Sequence, residues 1–222
     1  MDILRQIRSE CPHAPSLLVL SIVSSVPAYF VLRYMRYKAN KALKKKVVDN
    51  YWYKPVHFSV DNYNCKLHIY KSRPCQQTCA YFDFQRIVEF VKTARYTLCL
   101  CICLLTSQEI QDALILIHER GVKVRIIVDK TMAENKAARI RHLQAAGLTV
   151  KTQKSSDEVI HHKFCYADEN SLMKRKMFFG TLNLTIQGMT GNWDSLIFTD
   201  NPYLIGQYHK VFEDLWKITE EY

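Results

Sequence analysis

The sequence predicts an α/β domain, helices packed about a mixed, largely parallel sheet, preceded by one membrane-spanning helix. Three observations lead there. From residue 83 onward, apolar runs of strand length alternate with segments of helical periodicity. Near the N-terminus, Ala14–Leu32 is an uncharged stretch of 19 residues. Immediately after it, the positive charge of the chain is concentrated in one short tract.

The 19 residues span roughly 28 Å as a helix, close to a bilayer core of about 30 Å. Pro27 costs one backbone hydrogen bond, which membrane helices tolerate, and Tyr29 and Tyr34 suit an interface. The formal net charge is +10. Residues 33–46 hold Arg33, Arg36, Lys38, Lys41, Lys44, Lys45 and Lys46 without an acid, whereas residues 47–222 carry only +3. By the positive-inside rule, residues 33–222 lie in the cytosol. The competing readings are a cleaved signal peptide and a buried helix, but Asp2 and Glu10 dilute the n-region and the basic block follows the apolar run. The chain therefore divides into a tail (1–13), a span (14–32), a basic juxtamembrane linker (33–50) and a catalytic domain (51–222). With 48% hydrophobic residues and only six glycines and six prolines, a disordered or collagen-like chain is excluded.

Within the domain, Phe84, Ile87, Val88 and Val91 recur at helical spacing. The run 96–105 reads as a buried strand with Cys99, Cys101 and Cys103 on one face. Ser107 caps a helix to Glu119, with Gly121 beyond its end. Then follow a strand (122–128), a helix (132–146) and a strand (148–152). Apolar strands at 162–166, 177–179 and 196–199 precede a final helix, 202–219. Same-face thiols on a strand are poorly placed to bridge one another, which fits a reducing compartment.

The dense chemistry lies in Ile160-His-His-Lys-Phe-Cys-Tyr-Ala-Asp168 and Gly180-Thr-Leu-Asn183. On a strand, His161 and Lys163 share a face, and a turn after Gly180 brings Asn183 back towards them. An imidazole nucleophile with a fixed cation and an amide donor suits a phosphodiester. No carboxylate cluster for Mg²⁺ lies nearby in the sequence, so no catalytic metal is expected. Cys65-x2-His68-x6-Cys75-x3-Cys79 offers three thiolates and an imidazole for a closed, structural Zn²⁺ site, with His57 competing with His68 and an unpaired-cysteine loop as the bland alternative.

The pattern His161-x-Lys163-x4-Asp168, then Gly180-Thr181-x-Asn183, resembles the signature of the phospholipase D superfamily. The His-His-Lys-Phe run, the Leu-Asn-Leu-Thr run and Asn192-Trp193-Asp194 are similar to its mitochondrial cardiolipin hydrolase, or Zucchini, group. The resemblance implies an α/β/α sandwich and a homodimer that shares one active site. It implies that His161 attacks phosphorus, that the partner's histidine protonates the leaving oxygen, and that Lys163 and Asn183 hold the phosphate. Asp194 stands where the family's histidine-orienting acid stands. Asp168 belongs to the motif, with a supporting role in its loop. The group's Cys3His insert matches residues 65–79. The implied substrates are single-stranded RNA, cut in the pathway that makes piRNAs, or cardiolipin, with the mitochondrial outer membrane as location. A catalytically silent scaffold recruiting RNA-processing proteins is the reading from another class.

Three departures stand out. Thr181 replaces the usual serine, Asp194 replaces the usual glutamate, and the segment between Asp168 and Gly180 is longer than usual. That segment, around Asn170–Lys176, reads as a basic hairpin, either a solvated turn or a border of the substrate groove. Lys151, Lys154, Lys163, Lys174, Arg175 and Lys176 cluster in sequence about the motif, which favours a polyanion.

Overall fold

A computed structural model describes residues 29–38 and 51–222. The chain divides after Asn50. Before that boundary, residues 29–38 form a helix, α1, with exposed side chains. The expected tail, most of the 14–32 span and most of the linker lie outside the described residues. Among the described residues no helix is long and apolar enough to cross a membrane.

The domain from Tyr51 runs β1 (Tyr53–Phe58), a 3₁₀ turn (Val60–Cys65), α2 (Lys66–Lys71), α3 (Ala80–Lys92) and β2 (Thr97–Ile102). It continues with α4 (Gln108–Glu119), β3 (Lys123–Val128), α5 (Lys130–Ala133), α6 (Ile140–Ala145), β4 (Thr149–Thr152), β5 (Lys163–Ala167) and β6 (Lys176–Gly180). The last elements are α7 (Ile186–Thr190), β7 (Asp194–Thr199), α8 (Pro202–Ile218) and β8 (Glu220–Glu221). One eight-stranded sheet has the order β1-β7-β6-β5-β2-β3-β4-β8.

The unbroken apolar run of β2 is explained by burial on both faces. Leu98, Leu100 and Ile102 pack with Phe84, Ile87, Val88, Ile110 and Leu114 from α3 and α4. Cys99 and Cys101 pack on the other face with Phe164, Tyr166, and Ile205 and Phe212 of α8. The α/β/α layering follows directly from this alternation.

The expectation of a largely parallel sheet is corrected. Only β2–β3 and β3–β4 pair in parallel, and the other five pairings are antiparallel. A parallel pairing needs a crossover element. Helices supply one between β2 and β3 and another between β3 and β4, whereas β5 and β6 are joined by a loop alone. The predicted helix 132–146 is broken into α5 and α6. There Asn135 Oδ1 accepts from Ala137 N at 2.9 Å, a local side-chain bond that competes with helix continuation. Strand β1 carries Pro55, which a central strand would not accept; as the edge strand, it does.

Candidate active site

His161, Lys163, Asn183 and Asp194 all lie at one end of the sheet, the end where β2 and β3 finish. Lys163 opens β5 opposite Ile102, the last residue of β2. Gly180 closes β6 beside Leu196 of β7. A Cβ at Gly180 would collide with the carbonyl of Ser195, so the close approach of β6 to β7 here requires glycine. Just beyond it, Thr181 N donates to Ser195 O at 3.0 Å, and Leu184 N donates to Leu104 O at 3.1 Å.

Each side chain is held differently. His161 is exposed, and among the described residues its ring has no hydrogen-bond partner. Lys163 is 6% exposed, and its Nζ donates to His161 O at 2.8 Å. Burial pushes the Lys163 ammonium below its ordinary pKa, with Cys103, Asp194 and Cys101 opposing that shift. Asn183 Oδ1 accepts from Leu104 N at 3.1 Å, which leaves its amide nitrogen for a ligand. Thr181 Oγ1 donates to Asp194 Oδ1 at 2.8 Å and accepts from Ser195 N at 3.0 Å. The hydroxyl that replaces the usual serine thus fixes the carboxylate. His162 packs edge-on against Phe164 with centroids 5.6 Å apart. Burial, then the charges of Lys163 and His161, hold its pKa low.

Asp168 is not brought to this cluster. It follows the far end of β5, about 16 Å along the strand from Lys163. Its buried carboxylate accepts from Arg95 N, Tyr96 N and Thr97 N at 3.1, 2.7 and 3.1 Å. The 170–176 segment is at that far end too, since Lys176 pairs with Ala167, so it does not border the His161 site. The basic cluster read from sequence is likewise divided: Lys174–Lys176 are remote, and Lys151 Nζ donates to Trp216 O at 2.9 Å.

Sequence reasoning passed over Asp129 and Gln153. Asp129, 2% exposed, follows β3 at the site end. Its carboxylate accepts from Met132 N (3.0 Å), Gln153 Nε2 (2.7 Å) and Ile160 N (3.1 Å). Gln153 Nε2 also donates to Glu158 O at 2.9 Å. This satisfied buried network fixes the residues immediately before His161. The one signal available was an acid directly after an apolar strand, at a helix N-cap position.

Cys65, His68, Cys75 and Cys79 bring one ligand atom each to within 4.8 Å of one another. A tetrahedral zinc with Zn–S of about 2.3 Å and Zn–N of about 2.0–2.1 Å separates sulfur from nitrogen by about 3.5 Å. Cys79 Sγ and His68 Nδ1 are 3.6 Å apart. The cluster can hold a metal ion. His57 is engaged elsewhere, its Nδ1 2.9 Å from Ser195 Oγ, so His68 is the imidazole of the group. A cleft of about 840 Å³ runs from Leu104 and Asn183 to Lys66 and Tyr70 beside this cluster, with Lys136 and Arg139 on its wall.

Residues 87–216, more than half of the chain, match the family model described as cardiolipin synthase, PLD-like domain. The chain belongs to the phospholipase D-like family. Relatives named mitochondrial cardiolipin hydrolase include one from Danio rerio, 32% identical over 138 residues, covering 62% of this chain and 59% of that protein. Another, from Drosophila melanogaster, is 30% identical over 160 residues, covering 65% and 63%. A third, from Homo sapiens, is 28% identical over 144 residues, covering 65% and 55%. The chain thus spans about three fifths of the length of the curated relatives it matches. The phospholipase D-like fold is also that of Nuc from Salmonella typhimurium, a phospholipase D family member, with a TM-score of 0.59 and 16% identity, covering 78% of this chain and 99% of that one. NucT from Helicobacter pylori gives the same TM-score and identity over 78% of this chain.

Proposed function

We propose that the chain is a membrane-anchored phosphodiesterase, active as a homodimer, that works through a phosphohistidine at His161. The observation that carries this reading is the convergence of an exposed imidazole, a buried ammonium and a free amide nitrogen at one end of the sheet. In the first step His161 forms a bond to phosphorus as the bond to the leaving oxygen breaks, and that oxygen takes a proton from the second subunit's imidazole. Water, giving a proton to the second subunit's imidazole, then displaces His161 from phosphorus, and both histidines are restored. Lys163 and Asn183 Nδ2 bind the non-bridging oxygens, where fixed donors lower the barrier most. Asp194, held by Thr181 at the same end of the sheet, is the acid assigned to orient the imidazole once substrate engages it.

Single-stranded RNA, cleaved in piRNA biogenesis at the mitochondrial outer membrane with the domain in the cytosol, is the leading substrate. The cleft that reaches Asn183 supports it, because Lys66, Lys136 and Arg139 outnumber Glu109 and Asp112 on its wall. The second reading, hydrolysis of cardiolipin to phosphatidic acid, is favoured by the name the relatives share. Zn²⁺ at Cys65, His68, Cys75 and Cys79 is structural in both. Full-length protein, wild type and His161→Ala, incubated with labelled single-stranded RNA or with cardiolipin vesicles, separates them. Cleavage of RNA alone supports the first reading, cleavage of cardiolipin alone the second, and turnover of neither contradicts the enzyme.

A further inference from the structure

The end of the sheet opposite His161 has a character of its own. Leu172 and Met173, in the loop between β5 and β6, are 82% and 86% exposed. Lys174 and Arg175 follow them directly. Two other segments gather beside this loop. Asp168 binds the N–H groups of residues 95–97, and Lys123 N donates to Tyr96 O at 3.0 Å. Arg95, Tyr96 and Lys123 are therefore brought to the same end, all exposed. Lys92, Arg95 and Arg120 line a cleft of about 400 Å³ there. The acids at this end are mostly engaged: Asp168 by backbone N–H groups, Glu169 by Thr97 Oγ1, and Asp200 by Trp52 N. Among the described residues, Glu89, 3.9 Å from Lys92 Nζ, and Glu119, beside Arg120, stand exposed.

The course of β1 supplies an independent observation. Tyr53 pairs with Thr199, whose other neighbour is Met177, so β1 begins at the end that carries the Leu172 loop. It finishes with Phe58 opposite Asp194, about 17 Å along the strand, at the catalytic end. In the sequence, the cationic tract 33–46 comes a few residues before that start.

We infer that this end of the domain docks on an anionic lipid surface, with Leu172 and Met173 in the interface, the cations on headgroup phosphates, and His161 facing away from the bilayer. Exposed apolar tips flanked by Lys and Arg gain both from buried apolar area and from the negative surface potential. Side chains this exposed bury little apolar area within the domain. A cationic rim complements lipid phosphate, whereas an apolar tip adds nothing to contact with a polynucleotide backbone. The consequence is geometric: a substrate taken at His161 comes from the aqueous side, not from the bilayer under the domain.

Amide hydrogen exchange on the full-length protein in phosphatidylcholine nanodiscs, with and without phosphatidylserine, tests the inference. We expect slowed exchange over residues 93–96 and 169–175 in the anionic nanodiscs only, and unchanged exchange over residues 158–162. Lys174→Glu with Arg175→Glu removes that protection, since each cation near an anionic surface is worth roughly a fivefold change in partitioning. Protection at 158–162 and at Trp193 instead, or protection of the 169–175 loop by RNA or an acidic peptide but not by lipid, or no protection anywhere, overturns it. Hydrolysis of a soluble phosphodiester by the same double variant keeps this result separate from the phosphodiesterase reading, because docking and hydrolysis can each fail while the other persists.

Discussion

The main-chain N–H of Leu104 donates to Asn183 Oδ1 at 3.1 Å, and this one bond decides which half of the amide a ligand meets. With the oxygen taken, only the nitrogen is presented. Asn183→Asp keeps an acceptor for Leu104 but replaces the donor by a negative charge. We predict a loss of kcat/KM of about 10²–10³ on a phosphodiester, the scale of one fixed oxyanion donor, with a melting temperature close to wild type. Equal activity in the variant would remove Asn183 from phosphate binding.

Lys163 must be an ammonium to bind phosphate. Burial lowers its pKa, and the charge of Asp194 is among the groups that oppose the lowering. Asp194→Asn retains an acceptor for Thr181 but removes that charge, so the Lys163 pKa falls further. Activity then fails at a lower pH on the alkaline side. The check is the pH profile of kcat/KM; an alkaline limb that stays in place contradicts the coupling.

Asp168 stabilises the strand ends and does not touch the reacting atoms. Asp168→Ala leaves three backbone N–H groups unsatisfied and is expected to cost about 2–4 kcal/mol. Asp168→Asn costs less, since asparagine tolerates the left-handed φ of 54° and keeps an acceptor. Denaturant titration measures both. A catalytic role would instead show as reduced turnover by variants of unchanged stability.

Much of this was legible in the sequence, for identifiable reasons. Ser107 does accept from Ile110 N as the cap of α4, and the final helix expected at 202–219 is α8, which buries Ile205 and Phe212 with Phe164 and Tyr166 of β5. These are local patterns that the tertiary structure reinforces. What was not legible depends on non-local pairing. The direction of β5, β6 and β7 is set by which loops cross the sheet, and the separation of Lys174–Lys176 from His161 follows from β5 running between them. The role of Asp129 was not legible, because its bond to Ile160 N joins residues 31 apart in sequence. The His161–Lys163 pair was legible because its two members stand two residues apart in one motif, although β5 begins only at Lys163 and His161 precedes the strand.

The Cys65, His68, Cys75 and Cys79 group predicts one zinc per chain by metal analysis, and thiolate charge-transfer bands on cobalt substitution. Cys79→Ala, which removes a buried ligand, is expected to lose the metal and protection of residues 60–80 from proteolysis. Full metal content in that variant would exclude the site.

Burial raises the Cys99 thiol to about 11 and the Cys101 thiol to about 12, against an ordinary 9.0. Above about pH 9 the unfolded chain releases protons that the folded chain keeps, so these groups make stability fall as pH rises. Cys101→Val should therefore lose less stability between pH 8 and pH 10.5 than wild type, as read from denaturant midpoints. An equal loss in both would show that the Cys101 thiol does not drive the alkaline fall.

The most direct test of the central claim is the turnover of a soluble phosphodiester by the full-length protein, with and without His161. The structure predicts measurable hydrolysis by wild type and a loss of at least about 10⁴-fold in His161→Ala, the scale for removal of a nucleophile. Hydrolysis that continues undiminished in His161→Ala would contradict it.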